Sequence, residues 1–421
     1  MQNEMTSPNA RTMPAGFPIG RREFVIMMAS LMALNALAID AMLPAFPAIG
    51  EALGVEDHNR RQFLISIYLL GMGLGSLVYG PLADRFGRRP ILLIAIASYI
   101  LFSIASMVAP SFDFLLTMRL FQGLVAAALG VLVVSIIRDI YAGDRMARLM
   151  SIIFLVFMAV PVLAPTIGQI MLVTGGWRSI FGLFAVMAAL VGLWVWHRLP
   201  ETLEPERSIP ISPASIVTIW SQVIFNRTGF FYVVAAGTVM GAMFGFLNSS
   251  QQIFADVFDA ADIFPYAFAC VAGTMALSSW FNSTIVERFG ARRVSHAALC
   301  VFLLLSLLQI AATRLEPEPM PLFLTLLAAN MGVVGFIGAN FGSIAMEPFF
   351  DMAGAASSFQ SFVRTVMAAL IGAAIGQRFD GSTLPLTEGF LASGLMALAL
   401  ILIAEKGRLF RRPHTCPNSP Y

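Results

Sequence analysis

Gly80-Pro81-Leu82-Ala83-Asp84-Arg85-Phe86-Gly87-Arg88-Arg89-Pro90 is the stretch whose reading decides how this chain is organised. It places one acid and three arginines between two long apolar runs, where a bilayer-spanning segment has to end. A shorter version returns as Glu287-Arg288-Phe289-Gly290-Ala291-Arg292-Arg293. In both places the basic loop separates the second apolar run from the third of its set. The chain therefore reads as two parallel repeats, an architecture that puts a binding site at the interface of its halves.

Outward from these loops, apolar runs of about 18 residues or more are broken by charges and Pro/Gly clusters. They predict spans near 24–47, 62–80, 91–109, 112–137, 149–172, 179–197, 229–253, 263–285, 294–313, 321–346, 354–377 and 388–405. The longest polar interruption, 199–228, holds Pro200, Pro205, Pro210 and Pro213. The expected organisation is a leader (1–23), a first six-helix half (24–198), a central loop (199–228), a second half (229–405) and a tail (406–421). The expected fold class is an all-α polytopic membrane protein with twelve transmembrane helices in two six-helix halves.

Composition agrees. Of the 421 residues, 58% are hydrophobic and 12% charged, about half the charge of a soluble domain, where roughly 25% is usual. That excludes a soluble enzyme and, with a net charge of +2 and no basic groove-tracking patch, a nucleic-acid binder. Recurrent spans exclude a single-pass receptor. Cys270, Cys300 and Cys416 form no disulfide or metal-ligand spacing. His58, His197, His296 and His414 lie in separate segments, so neither a cofactor nor a metal is expected. Arg21-Arg22-Glu23-Phe24-Val25 has the look of a twin-arginine export signal, but the run after it is too long for a signal core. The arginine pair reads as a cytoplasmic anchor.

Orientation follows from the loops. On the side of the N-terminus they carry 19 of the 26 Lys and Arg residues, against five on the other side. The positive-inside rule places both termini in the cytoplasm.

Asp40, Arg119 and Arg364 are the formal charges well inside the spans. Each costs from about 2.5 kcal/mol upward at the bilayer centre unless it faces a cavity or a partner. Asp40 and Arg119 both lie about seven residues, roughly 10 Å, below the outer boundary, and the equal depth predicts a pair. A carboxyl that can be neutral or charged, beside a fixed guanidinium, is a proton-coupling element; the alternative is a structural ion pair locking spans 1 and 4. Gln122 shares the helical face of Arg119. Gly71, Gly73 and Gly75 in span 2 read as close helix packing, not as a nucleotide loop.

Arg364 has no acidic partner within a span. It either snorkels to the cytoplasm or lines the cavity, where it would attract a carboxylate, a phenolate or an electron-rich neutral group. Asn248 and Gln251 at the end of span 7, and Asn330 and Asn340 in span 10, offer uncharged groups for a substrate or for interhelical hydrogen bonds.

The loop at 80–90 resembles the signature loop of the major facilitator superfamily. The resemblance implies that Gly80 permits close contact with span 11, and that Asp84, with Arg85, Gly87, Arg88 and Arg89, forms a latch pairing across the halves. Ile39-Asp40-Ala41-Met42-Leu43-Pro44-Ala45-Phe46-Pro47 resembles the first-span motif of Bcr/CflA-type drug:proton antiporters. Arg119-Leu120-Phe121-Gln122-Gly123 resembles the span 4 motif whose arginine serves proton coupling. Pro161 to Gln169 resembles the antiporter motif of exporters through Pro161, Pro165 and Gly168, with Ala164 and Gln169 where that motif has glycine.

The expectation is a proton-driven exporter of small amphipathic, drug-like compounds, a monomer in the bacterial inner membrane, whose partners are protons, substrate and lipid. A dedicated exporter of one anionic metabolite or siderophore is the alternative. A membrane-embedded enzyme would need a histidine or similar group beside the intramembrane charges, and a transporter-like sensor would need a signalling domain.

Overall fold

The basic loop quoted first is also a conformational repeat. In the computed structural model Gly87 has φ 98° and ψ 155°, ending one helix and opening the next. Gly290 does the same with φ 84° and ψ 147°. Positive φ is open to glycine at no steric cost, so one turn type is specified twice. The structure describes residues 18–141, 143–203 and 213–410. The expected leader, central loop and tail fall partly on 1–17, 204–212 and 411–421, which lie outside the described residues.

The helices are α1 (Arg21–Asp40), α2 (Phe46–Ala52), α3 (Phe63–Phe86), α4 (Arg88–Met107), α5 (Phe112–Ile140), α6 (Gly143–Arg198), α7 (Pro213–Phe225), α8 (Arg227–Gln252), α9 (Phe264–Phe289), α10 (Ala291–Ala312), α11 (Met320–Met346), α12 (Ala353–Gly376) and α13 (Leu384–Ala404). Among the described residues ten stretches are long and apolar enough to cross a membrane. One, Ala159–Arg198, contains two helices in series, broken at Gly176 (φ 72°, ψ 176°). The 26-residue α9 is not among the ten; Ser278, Ser279, Asn282 and Ser283 dilute its apolar surface. Those two particulars account for the difference from the twelve spans expected.

Small residues set the closest helix approaches, as lipid-embedded packing requires. In α3, a Cβ at Gly71 or Gly75 would overlap the carbonyl oxygens of Leu120 and Leu124 in α5. Between them Gly73 faces the other way, against Val366 of α12. α8 meets α12 along Gly237, Gly241 and Gly245, one helical ridge apart. α3 and α12 thus carry the seam between the first and second sets of helices.

Candidate functional site

The site begins where α1 fails. Pro44 and Pro47 have no N–H, so the carbonyls four residues earlier, those of Asp40 and Leu43, lose their helical donors. α1 stops at Asp40, and a 3₁₀ turn over Leu43–Ala45 leads into α2. Two neighbours clamp this break. Gly168 of α6 lies so close that a Cβ there would overlap the carbonyl oxygen of Ala41. From α5, Arg119 reaches in: its Nη2 donates to the Ala38 carbonyl at 3.0 Å and its Nε to the Leu64 carbonyl at 3.2 Å.

Arg119 is fully buried, and its remaining surroundings are neutral. Nη1 donates to Gln122 Oε1 at 2.7 Å, and the guanidinium carbon stands 4.3 Å from the centre of the Tyr68 ring. Gln122 Nε2 donates to Ser103 Oγ at 2.8 Å. The Tyr68 hydroxyl donates to Asn35 Oδ1 at 3.0 Å, and Asn35 Nδ2 donates to the Ala126 carbonyl. Gln122 is thus engaged in holding Arg119.

The pairing expected between Asp40 and Arg119 is not present. Asp40 is 4% exposed, and among the described residues it has no hydrogen bond or ion pair. Carbonyl dipoles, an amide and an aromatic face take up the guanidinium instead. Equal depth was legible in the sequence, but the helix break, which supplies a competing acceptor, decides where the arginine points. Sequence reasoning missed Asn35, Tyr68 and Ser103, polar groups inside apolar runs that carry no charge to mark them.

At the end opposite the arginine loops a chain of amides joins the two sets of helices. Gln62 Nε2 donates to Gln252 Oε1 at 2.5 Å, Gln252 Nε2 to Asn59 Oδ1 at 3.0 Å, and Asn59 Nδ2 to the Phe379 carbonyl at 2.8 Å. Gln377 Nε2 returns a bond to the Asn59 carbonyl at 2.6 Å. Asn248 Nδ2 donates to Ser66 Oγ at 3.0 Å, so this amide spans the seam. Gln251 is buried beside it at 9% exposure. Asn330 bonds to Ser306 and Gln309 of α10, and Asn340 to Asn282 of α9, which are interhelical contacts. Pro165 is buried on α6 and Pro161 partly so, with Ala164 fully buried between them.

At the end of the bundle that carries the arginine loops, Gly80 faces α12, where a Cβ would stand 3.0 Å from Ser358 Oγ. Asp84 does not pair across the halves as expected. It binds Arg88, just past the Gly87 turn in its own half, at 2.5 Å. Arg88 also binds Asp139 of α5 at 3.0 Å, and Glu201 accepts the N–H groups of Arg88 and Arg89 at 2.9 and 3.1 Å. Once α4 starts at Arg88, its free N–H groups attract that carboxylate. The second repeat builds the same device: Arg292 binds Glu347 after α11 at 2.8 Å and Glu405 after α13 at 2.9 Å. Asp139 and Glu347, and Glu201 and Glu405, hold equivalent places in the two repeats, a correspondence that the sequence reading missed. Arg85 and Arg89 line a surface cavity of about 590 Å³ with Phe86, Trp196 and Glu201.

The chain is similar to known proteins. Residues 28–373 match the model of the Major Facilitator Superfamily. A bicyclomycin resistance protein homolog of Haemophilus influenzae is 29% identical over 357 residues, covering 84% of this chain and 88% of that one. Multidrug resistance protein MdtL of Klebsiella pneumoniae is 26% identical over 398 residues, covering 92% and 96%. The crystal structure of a bacterial homolog to the human lysosomal transporter Spinster superposes with a TM-score of 0.70 at 16% identity, over 94% of this chain and 99% of that one. A helical, multi-pass chain with this break, this doubled arginine loop and this match over most of its length belongs to the major facilitator superfamily.

Proposed function

We propose that the chain exports small amphipathic, drug-like compounds in exchange for protons, by alternating access of two six-helix halves. The observation that carries this reading is Asp40: a carboxyl buried in the protein interior with no partner among the described residues, at a helix break clamped by Arg119 and Gly168. Such a group carries charge only where water or a cation reaches it. A change of access at the break would therefore change its protonation, and protonation would favour one access state over the other. Because Arg119 holds the Ala38 carbonyl, motion of the break is tied to α5.

The substrate class draws support from relatives named for bicyclomycin and multidrug resistance. Bacterial relatives and the arginine bias of the loops support a place in the inner membrane with both termini cytoplasmic. The test is accumulation of a fluorescent amphipathic dye in an efflux-deficient bacterium expressing the chain. Lower accumulation that a protonophore abolishes supports export driven by protons; accumulation equal to that of the empty vector contradicts it.

A further inference from the structure

Arg364 lies near the middle of α12, where the two sets of helices meet. On one side its backbone touches α8: a Cβ at Gly237 would stand 3.1 Å from both the Cα and the carbonyl oxygen of Arg364. The next two residues turn to the opposite half, with Thr365 and Val366 against Gly73 of α3. Eleven residues of helix separate Arg364 from the start of α12, roughly 16 Å, so it is too deep for its side chain to snorkel to the cytoplasmic end. Leu370, 55% exposed, marks the lipid side of the helix. Six residues of rotation place Arg364 about 120° of arc from that side. The guanidinium belongs to the seam between the halves.

Its neighbourhood is incomplete. The side chain is half-buried, and Nε is buried with no hydrogen-bond partner. Among the described residues no hydrogen bond or ion pair engages it. The other arginines inside the protein are treated differently: Arg119 has three hydrogen bonds, and Arg88 and Arg292 each have two carboxylates. An unpaired cation within the bilayer is costly unless a counter-charge or water meets it. Among the described residues neither a carboxylate nor an amide meets the group, and its place on α12 turns it from lipid. The missing partner therefore comes from solution.

We propose that Arg364 is the recognition group for an anionic substituent, a carboxylate, phenolate or sulfonate, on the amphipathic compounds that this chain carries. This rests on the export reading above and narrows its substrate class. A guanidinium presents paired donors that match a carboxylate in two parallel bonds, which an ammonium does not. The apolar remainder of such a compound suits a seam built from glycines and aliphatic side chains. Because Asp40 is on α1 and Arg364 on α12, proton handling and anion recognition are separable by mutation.

The test uses pyrenebutyrate, its methyl ester and the corresponding trimethylammonium compound, titrated against the purified full-length chain with pyrene anisotropy as the readout. The unchanged chain is expected to prefer the carboxylate over the ester by about tenfold or more, as a charge-assisted hydrogen-bonded contact supplies. Arg364→Gln should erase that preference while keeping the ester's affinity, and Arg364→Lys should keep part of it. Equal affinity for the three probes, or a carboxylate preference that survives Arg364→Gln, overturns the proposal. Thermal unfolding accompanies each curve; if the Gln variant does not fold, Arg364→Met replaces it under the same two outcomes. A chain that binds the carboxylate through Arg364 but moves no compound across a vesicle membrane contradicts the export reading and leaves this site standing.

Discussion

Arg119 donates to the backbone carbonyl of Ala38, two residues before Asp40, and leaves the Asp40 carboxyl alone. The arginine therefore braces the broken end of α1, and the Asp40 carboxyl stands apart from it. The two residues have different jobs, and removing each should have a different consequence. Arg119→Ala strips a buried hub of three hydrogen bonds and a ring contact. It should lower stability by about 2–4 kcal/mol. Asp40→Asn, which replaces an unpaired carboxyl, should unfold at the temperature of the unchanged chain or above. Thermal unfolding of both variants in detergent decides this; equal, large losses would show that Asp40 and Arg119 act as one structural pair.

Gly168→Ala should act on the same break from the other side. The added methyl meets main chain at Ala41, which has no rotamer to give. A cost of about 1–3 kcal/mol is expected for such overpacking, with transport reduced. Gly130→Ala has open space around it and serves as the control; it should be neutral or stabilising by up to about 1 kcal/mol. Similar unfolding temperatures for the two variants would remove α6 from the clamp.

Gln252→Ala cuts the amide chain between Gln62 and Asn59 at the outer end. Its removal should raise the population of states open to the outside. A cysteine at Ser66, the partner of Asn248, should then be labelled faster by an impermeant maleimide, in a background lacking Cys270, Cys300 and Cys416. Unchanged labelling would mean that the amide chain does not hold the outer side closed.

The Arg88 and Arg292 devices should each be essential to the end of the bundle that carries the arginine loops. Arg88→Ala leaves Asp139, 13% exposed, without its ion pair, and Arg292→Ala does the same to Glu405 at 15%. A loss of about 1–3 kcal/mol is expected for each. Because their sites lie in different repeats, the losses should add within about 0.5 kcal/mol in the double variant. Strong non-additivity would show the two devices to be one network.

Glu318, in the loop before α11, supplies a pH dependence of known sign. Burial pushes its carboxyl above the ordinary range, although the Thr383 hydroxyl, donating at 2.6 Å, opposes the shift. The folded chain then holds this proton more tightly than the unfolded chain does. Stability should fall as pH rises from the ordinary glutamate range through the raised folded value. Glu318→Gln should flatten that slope in unfolding curves taken across acidic pH, and an identical slope in the variant would exclude Glu318 as its source.

Much of the fold was legible because a bilayer punishes ambiguity: apolar runs and the doubled loop each have one reading. The site was legible only where charge marked it. Asp40, Arg119 and Arg364 stood out, whereas Asn35, Tyr68 and Ser103 look like any polar residue in a span, yet they complete the cluster around Arg119. The Asp40–Arg119 pair was inferred from depth, and depth says nothing of the Ala38 carbonyl that Arg119 takes where α1 ends. Asp84 was expected to reach across the halves, but the Gly87 turn brings Arg88 of the next helix against it first. The Gly237, Gly241 and Gly245 ridge was present in the sequence at four-residue spacing and was passed over, although it fixes where Arg364 sits.

The central claim is that Asp40 couples proton movement to export. The direct measurement is transport of an amphipathic substrate in proteoliposomes with an imposed pH gradient, comparing the unchanged chain with Asp40→Asn. The account expects uphill movement that follows the gradient in the unchanged chain, and only downhill equilibration in a folded Asp40→Asn variant. Transport indifferent to both the gradient and the substitution would contradict it.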